Sequence, residues 1–176
     1  MQSRNILLAG LMMSLGVSML PGSVIATDAS KFHITSRAVS DGATIPTQFT
    51  CSGANQSPPL SWAGVPIATK SLALLLEDPD APNGTFVHWV VYDIPPTSSG
   101  FLAGKVDGKQ GVNSAGEAVY MGPCPPPGSS PHHYHFELSA LDTMVDIKSD
   151  ATAAQLEKAA QGHVKAAGDL VGTFAR

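Results

Sequence analysis

The sequence predicts a single mainly β domain, a two-sheet sandwich with one C-terminal helix. Three observations carry this. Short apolar runs recur between Pro- and Gly-rich breaks from Lys31 to Asp142. Two of those runs, Ser71–Leu76 and Phe86–Ile94, are apolar throughout, as strands covered on both faces are. Only one stretch, Ala151–Ala167, has helical character. A chain of 176 residues is one domain's worth.

The elements follow in order. Arg4, the apolar Ile6–Leu20 run, the Pro21-Gly22 break and Val24-Ile25-Ala26 have the layout of a secretory leader cleaved after Ala26. The run is too short to cross a bilayer, which takes roughly 20 apolar residues. Residues 1–26 are therefore expected to be a signal peptide and residues 27–176 the folded domain, periplasmic or secreted. Phe32, Ile34 and Val39 mark a first strand. Ile45–Cys51 marks a second, between Asp41-Gly42 and Ser52-Gly53. In Tyr134–Leu141, Tyr134, Phe136, Leu138 and Ala140 share one face, with His135, Glu137 and Ser139 on the wet one. Ser149 or Asp150 caps the predicted helix and Gly168 stops it. Leu156, Ala160, Val164 and Ala167 form its buried stripe, and Leu170–Ala175 returns as a last strand. The layers are sheet on sheet with one helix.

Composition narrows the function. The chain carries 10 basic and 14 acidic residues with no Lys/Arg run, so nucleic acid is excluded as a partner. Loss of the leader removes Arg4 and no acid, making the balance more negative than −4. Two cysteines, Cys51 and Cys124, remain. In an oxidising compartment an even pair is expected to bridge, the alternative being two buried thiols. Their wide spacing lacks the paired pattern of a structural zinc site.

Polar residues cluster where apolar strands meet Pro-rich loops. Asp78-Pro79-Asp80-Ala81-Pro82 follows one strand, His88 lies near the start of the next, and the Gly122–Gly128 loop precedes His132-His133-Tyr134. Histidines beside carboxylates favour imidazolium, and glycine-flanked loops aim backbone N–H groups at a common point. Such a set suits recognition of a small anion. Read alone, His88 is more often a satisfied core histidine, and Asp78 and Asp80 are Asx-turn residues. His132, His133 and His135 do not form a metal set: alternation sends His132 to the opposite face from the other two, and no further ligand lies nearby. Ser57, Ser61 and Ser71 lie outside any nucleophile-elbow pattern, so no catalytic residue, metal or cofactor is assigned.

These motifs resemble the phosphatidylethanolamine-binding protein (PEBP) family. The resemblance rests on Asp78-Pro79-Asp80-Ala81-Pro82, His88 before its apolar strand, and Gly122-Pro123 leading to His132-x-Tyr134. Further pieces resemble its bacterial, Raf-kinase-inhibitor-like branch: Phe49-Thr50-Cys51, Asn55-x-Ser57-Pro58-Pro59-Leu60-x-Trp62, Cys124-Pro125-Pro126, Ala140-Leu141-Asp142, and Gly162-His163 in the helix. The similarity runs from Phe32 to Arg176. It implies an antiparallel β-sandwich with an anion cavity near one end, a homodimer, and a non-catalytic role. The implied ligand is a small phosphorylated or anionic group such as phosphoethanolamine. Carried over motif by motif, Asp78, His88, His132 and Tyr134 line the cavity, Asp80 and Pro82 shape its floor, and Gly122 its rim. Two other roles stand beside binding: a secreted inhibitor of a kinase or protease working through its surface, and an ester hydrolase. One departure is His133, where the family usually has Arg. A titratable group there predicts anion affinity that strengthens between about pH 7 and 5.5.

Overall fold

The computed structural model describes residues 31–176; the expected leader and its cleavage point lie outside the described residues. The described residues form eight strands: β1 His33–Thr35, β2 Leu60–Ala63, β3 Ser71–Asp78, β4 Phe86–Ile94, β5 Gly100–Phe101, β6 Lys109–Gly111, β7 His132–Leu141 and β8 Val164–Phe174. A single helix, α1, spans Ala153–Ala160. The strands make a three-stranded sheet, β1-β2-β5, and a five-stranded sheet, β6-β4-β3-β7-β8. All strand pairs within them are antiparallel.

Two apolar layers explain why β3 and β4 lack a wet face. Leu72, Leu74, Leu76, Trp89 and Val91 point toward the small sheet, where they meet Ile34, Leu60, Trp62 and Phe101. Ala73, Leu75, Val90 and Tyr92 point the other way and are covered by Ala153, Leu156 and Ala160 of α1. A strand with cover on both sides reads as an uninterrupted apolar run. On β7 the expected alternation holds: Tyr134, Phe136, Leu138 and Ala140 are fully buried, and Glu137 is exposed. No helix of the described residues is long and apolar enough to cross a membrane.

Two expected elements differ. Ile45–Cys51 is not a strand. Thr47–Phe49 forms one turn of 3₁₀ helix, in which the Thr47 carbonyl accepts from both the backbone N–H and the hydroxyl of Thr50. Ile45 is nevertheless fully buried, its N–H donating to Thr173 O at 2.8 Å. Apolar burial produced the strand-like pattern, while Pro46, without an N–H, cannot donate to a ladder.

The helix is half the expected length. Thr152, not Ser149 or Asp150, caps it through a capping box with Gln155. Gly162, with φ +82°, turns the chain two residues past Ala160, and Gly168 lies inside β8. Val164 and Ala167, expected on the helix, pair with Leu141 and Ser139 of β7. Ten registered partners along β7 outweigh the helix propensity of an alanine-rich segment, since propensity is a weak prior against tertiary pairing.

Candidate functional site

Antiparallel pairing places the end of β3, the start of β4 and the start of β7 at one edge of the large sheet. Asp78 closes β3 opposite Phe86 of β4, and β7 enters on the other side of β3 with His132 and Tyr134. The Pro-rich loop between β6 and β7 folds over this edge. Together they enclose a cavity of about 280 Å³ lined by Asp78, Pro82, Phe86, His88, Met121 and His132, with Ala81, Cys124, Pro125 and Pro126 completing its walls.

Its polar groups are nearly all oriented by the protein. Asp78 is 3% exposed and His132 6%. His132 Nδ1 lies 2.8 Å from Asp78 Oδ2, and the Asp80 N–H donates to Asp78 Oδ1 at 2.9 Å. Both carboxylate oxygens are thus committed within the protein, the second in an Asx turn. His88 Nδ1 lies 2.9 Å from the Met121 carbonyl. A carbonyl only accepts, so Nδ1 carries the proton there. The same reasoning places a proton on His132 Nδ1 facing the carboxylate. On both rings Nε2 has no hydrogen-bond partner among the described residues, and both rings line the cavity. Burial lowers the His88 pKa below its ordinary value, opposed by the Met121 carbonyl and the charge of Asp78.

Of the seven residues proposed from sequence, Asp78, Pro82, His88 and His132 line the cavity directly. Tyr134 lies behind it, its ring edge-on to His88 and stacked beside His132. Its hydroxyl is buried with no hydrogen-bond partner, and its pKa is raised by burial and then by the nearby Asp78 charge. Asp80 is not in the wall. It faces outward, 2.7 Å from His133 Nδ1, and that hydrogen bond is the main reason its pKa is lowered. His133, with a side chain 56% exposed, is likewise outside the cavity, because strand alternation turns it away from His132. The histidines that line the cavity are His88 and His132, not His133.

Gly122 is not lining but buttressing. Its N–H donates to Asn55 Oδ1 at 2.7 Å, and a Cβ at this position would sit 2.6 Å from Phe49 O and 2.8 Å from Thr50 Cα. Both obstacles are backbone. Gly122→Ala is expected to cost about 1–3 kcal/mol through this overpacking, read as a lowered thermal midpoint. An unchanged midpoint would mean that the 3₁₀ turn gives way freely.

The loop is held from three other directions. Cys51 and Cys124 are joined in a disulfide with Cα atoms 5.4 Å apart. Cys51 N–H donates to Pro123 O, and Arg176 Nε to Pro125 O at 3.0 Å. Sequence reasoning missed the Met121 carbonyl, a backbone group without a side-chain signal. It also missed Phe86, whose ring centroid lies 4.8 Å from that of His88. Phe86 had been visible only as the first apolar residue of its strand.

An antiparallel two-sheet protein with a small His–Asp cavity at one sheet end is thereby defined. Residues 35–175 match the family model described as phosphatidylethanolamine-binding protein. A UPF0098 protein of Methanothermobacter thermautotrophicus is 44% identical over 151 residues, covering 82% of this chain and 99% of its own. Among solved structures, the PEBP homologue CT736 from Chlamydia trachomatis superposes with a TM-score of 0.80 at 39% identity, over 84% of this chain and 99% of its own. YbcL of E. coli, described as a member of the mammalian PEBP family, gives 0.78 at 31% identity, over 83% of this chain and 99% of its own. The chain belongs to the phosphatidylethanolamine-binding protein family.

Proposed function

We propose that this protein is an exported, non-catalytic binder of a small oxyanion, of the kind carried by a phosphorylated head group, and that Asp78, His88 and His132 form its site. Family proteins generally act as binding proteins rather than catalysts, with ligands such as phospholipid head groups. The observation that carries the reading for this chain is the direction of the cavity's hydrogen bonds. Both Asp78 oxygens are taken up by protein partners, which leaves the Nε2 atoms of the two lining imidazoles as the polar groups available to a ligand. Once protonated, these nitrogens donate to an anion, and the apolar Pro82, Phe86 and Met121 walls strengthen the attraction by excluding water. The Tyr134 hydroxyl, buried without a partner, is a further donor beside Asp78 for an oxygen or a water reaching the floor. Asp80 and Gly122 act indirectly, Asp80 by fixing Asp78 through its N–H and Gly122 by seating the loop.

The cavity lining contains no serine, threonine or free thiol, Cys124 being bonded to Cys51. That chemistry supports binding over ester hydrolysis. Export is supported by the leader-like sequence of residues 1–26 and by a 41% identical Mycobacterium tuberculosis relative, LppC, provisionally named a lipoprotein.

Calorimetric titration of residues 27–176 with phosphate and phosphoethanolamine tests the site. Saturable binding that His88→Ala removes is the expected result; binding that survives the change would remove the cavity from consideration.

A pH dependence follows with a definite sign. His88 is held neutral in the folded protein, with its pKa below that of the unfolded chain. Its contribution to stability is present above about pH 6.5 and is lost as the pH falls from there through the lower, folded value. An anion at Nε2 favours the protonated ring, so binding takes up a proton. Sulfate, whose charge is constant over this range, is expected to bind more tightly below about pH 6.5 than above it. A flat sulfate titration would show that His88 does not change protonation on binding.

A further inference from the structure

A second pocket, of about 470 Å³, shares no lining residue with the first, yet both are bounded by the Val119–Met121 segment. Val119 and Tyr120 face the second pocket and Met121 faces the first. Its polar lining is Asn55, Gln56, Ser57, Lys105 and Gln110, and it holds no Asp or Glu, although the chain carries a net charge of −4.

Two amides decide its chemistry. Gly122 N–H donates to Asn55 Oδ1 at 2.7 Å, and Trp89 Nε1–H donates to Gln110 Oε1 at 2.8 Å. A backbone N–H and an indole N–H can only donate, so neither amide can flip without losing its bond. Asn55 Nδ2 and Gln110 Nε2 are thereby left as donors. Lys105 adds a cation, and no carboxylate among the described residues lies within 4.0 Å of its Nζ. The Tyr120 hydroxyl donates to Phe49 O at 2.6 Å, away from any ligand role, so its ring serves as an apolar wall with Val106 and the exposed Val119.

We propose that this pocket is a second oxyanion site. Asn55, Lys105 and Gln110 take the carboxylate or phosphate group, and Tyr120, Val106 and Val119 cover an apolar body attached to it. Donor-rich walls whose amide oxygens are already committed select ligands that accept and reject those that cannot, because a ligand that cannot accept leaves the amide hydrogens unpaired. The site is independent of the His–Asp cavity and stands or falls without it.

Nitrogen-labelled protein titrated with benzoate and with phenyl phosphate tests the assignment, with benzyl alcohol as the neutral control. Both anions are expected to shift the side-chain NH₂ signals of Asn55 and Gln110, and benzyl alcohol to leave them in place. Comparing the two anions tells whether carboxylate or phosphate is preferred. Gln110→Glu keeps an oxygen for the Trp89 indole but replaces the donor with a carboxylate oxygen. It is expected to weaken binding by about tenfold or more with the fold intact. Lys105→Met, on an exposed side chain, is expected to weaken it in the same direction. Shifts confined to residues of the first cavity would overturn the proposal. So would equal response to benzyl alcohol, or unchanged affinity in both variants.

Discussion

Replacing His132 by alanine is expected to cost about 3 kcal/mol of stability and to abolish phosphate binding, whereas asparagine keeps most of the stability and still loses binding. Asp78 is only 3% exposed, so its carboxylate depends on protein partners. Alanine at His132 leaves Oδ2 with none, and the remaining Asp80 N–H satisfies only Oδ1. An uncompensated buried charge is the costly case. Asparagine differs because its Nδ2 occupies nearly the position of the imidazole Nδ1 and donates to the same oxygen. It has nothing at the position of Nε2. The two variants therefore separate the inward half of the histidine from the outward half. Urea unfolding and calorimetry on both give the answer. Equal losses of stability would show that the 2.8 Å hydrogen bond does not hold the pair. Phosphate binding by the asparagine variant would show that Nε2 is not a ligand donor, and the proposed site would fail with it.

The same distinction between side-chain pattern and backbone position explains what could be read from the sequence. The bounds of β4 are those expected, Phe86–Ile94, because a doubly covered strand ends where its apolar run ends. Alternation along β7 was equally legible, each second residue being buried. The Ile45–Cys51 segment was misread because burial of Ile45 and Phe49 looks the same whether the chain ladders or turns. The segment after Ala160 was misread because Val164–Ala167 is apolar and alanine-rich in both helix and strand, and only its partner, β7, decides. At the site, the Asp-Pro-Asp-Ala-Pro and His-containing motifs do converge in space, since both flank β3. Asp80 and Tyr134 follow the lining residues in motif but not in position: Asp80 follows a tight Asx turn outward, and Tyr134 sits one β7 repeat deeper than His132. Orienting groups such as the Met121 carbonyl belong to no motif.

The second large effect is expected from the Cys51–Cys124 disulfide. The two residues are 73 apart in sequence, and closing a loop of that length is worth about 4 kcal/mol on the chain-entropy account. The double variant Cys51→Ala, Cys124→Ala is expected to lose about that much stability in urea. It is also expected to show a larger m-value, because the unbridged unfolded chain exposes more surface. Phosphate affinity should behave differently. Cys124 lines the cavity, yet the loop beside it is also tied by the Cys51 N–H to Pro123 O, the Gly122 N–H to Asn55 Oδ1, and Arg176 Nε to Pro125 O. None of these needs the sulfur bridge. With the native loop held by hydrogen bonds and the bridge acting on the unfolded chain, affinity is expected to stay within about threefold of the parent, since a disulfide stabilises mainly through the unfolded state. A large loss of affinity with little loss of stability would reverse the assignment. The bridge would then be a part of the site wall, and the hydrogen bonds across the loop too weak to keep that wall in place.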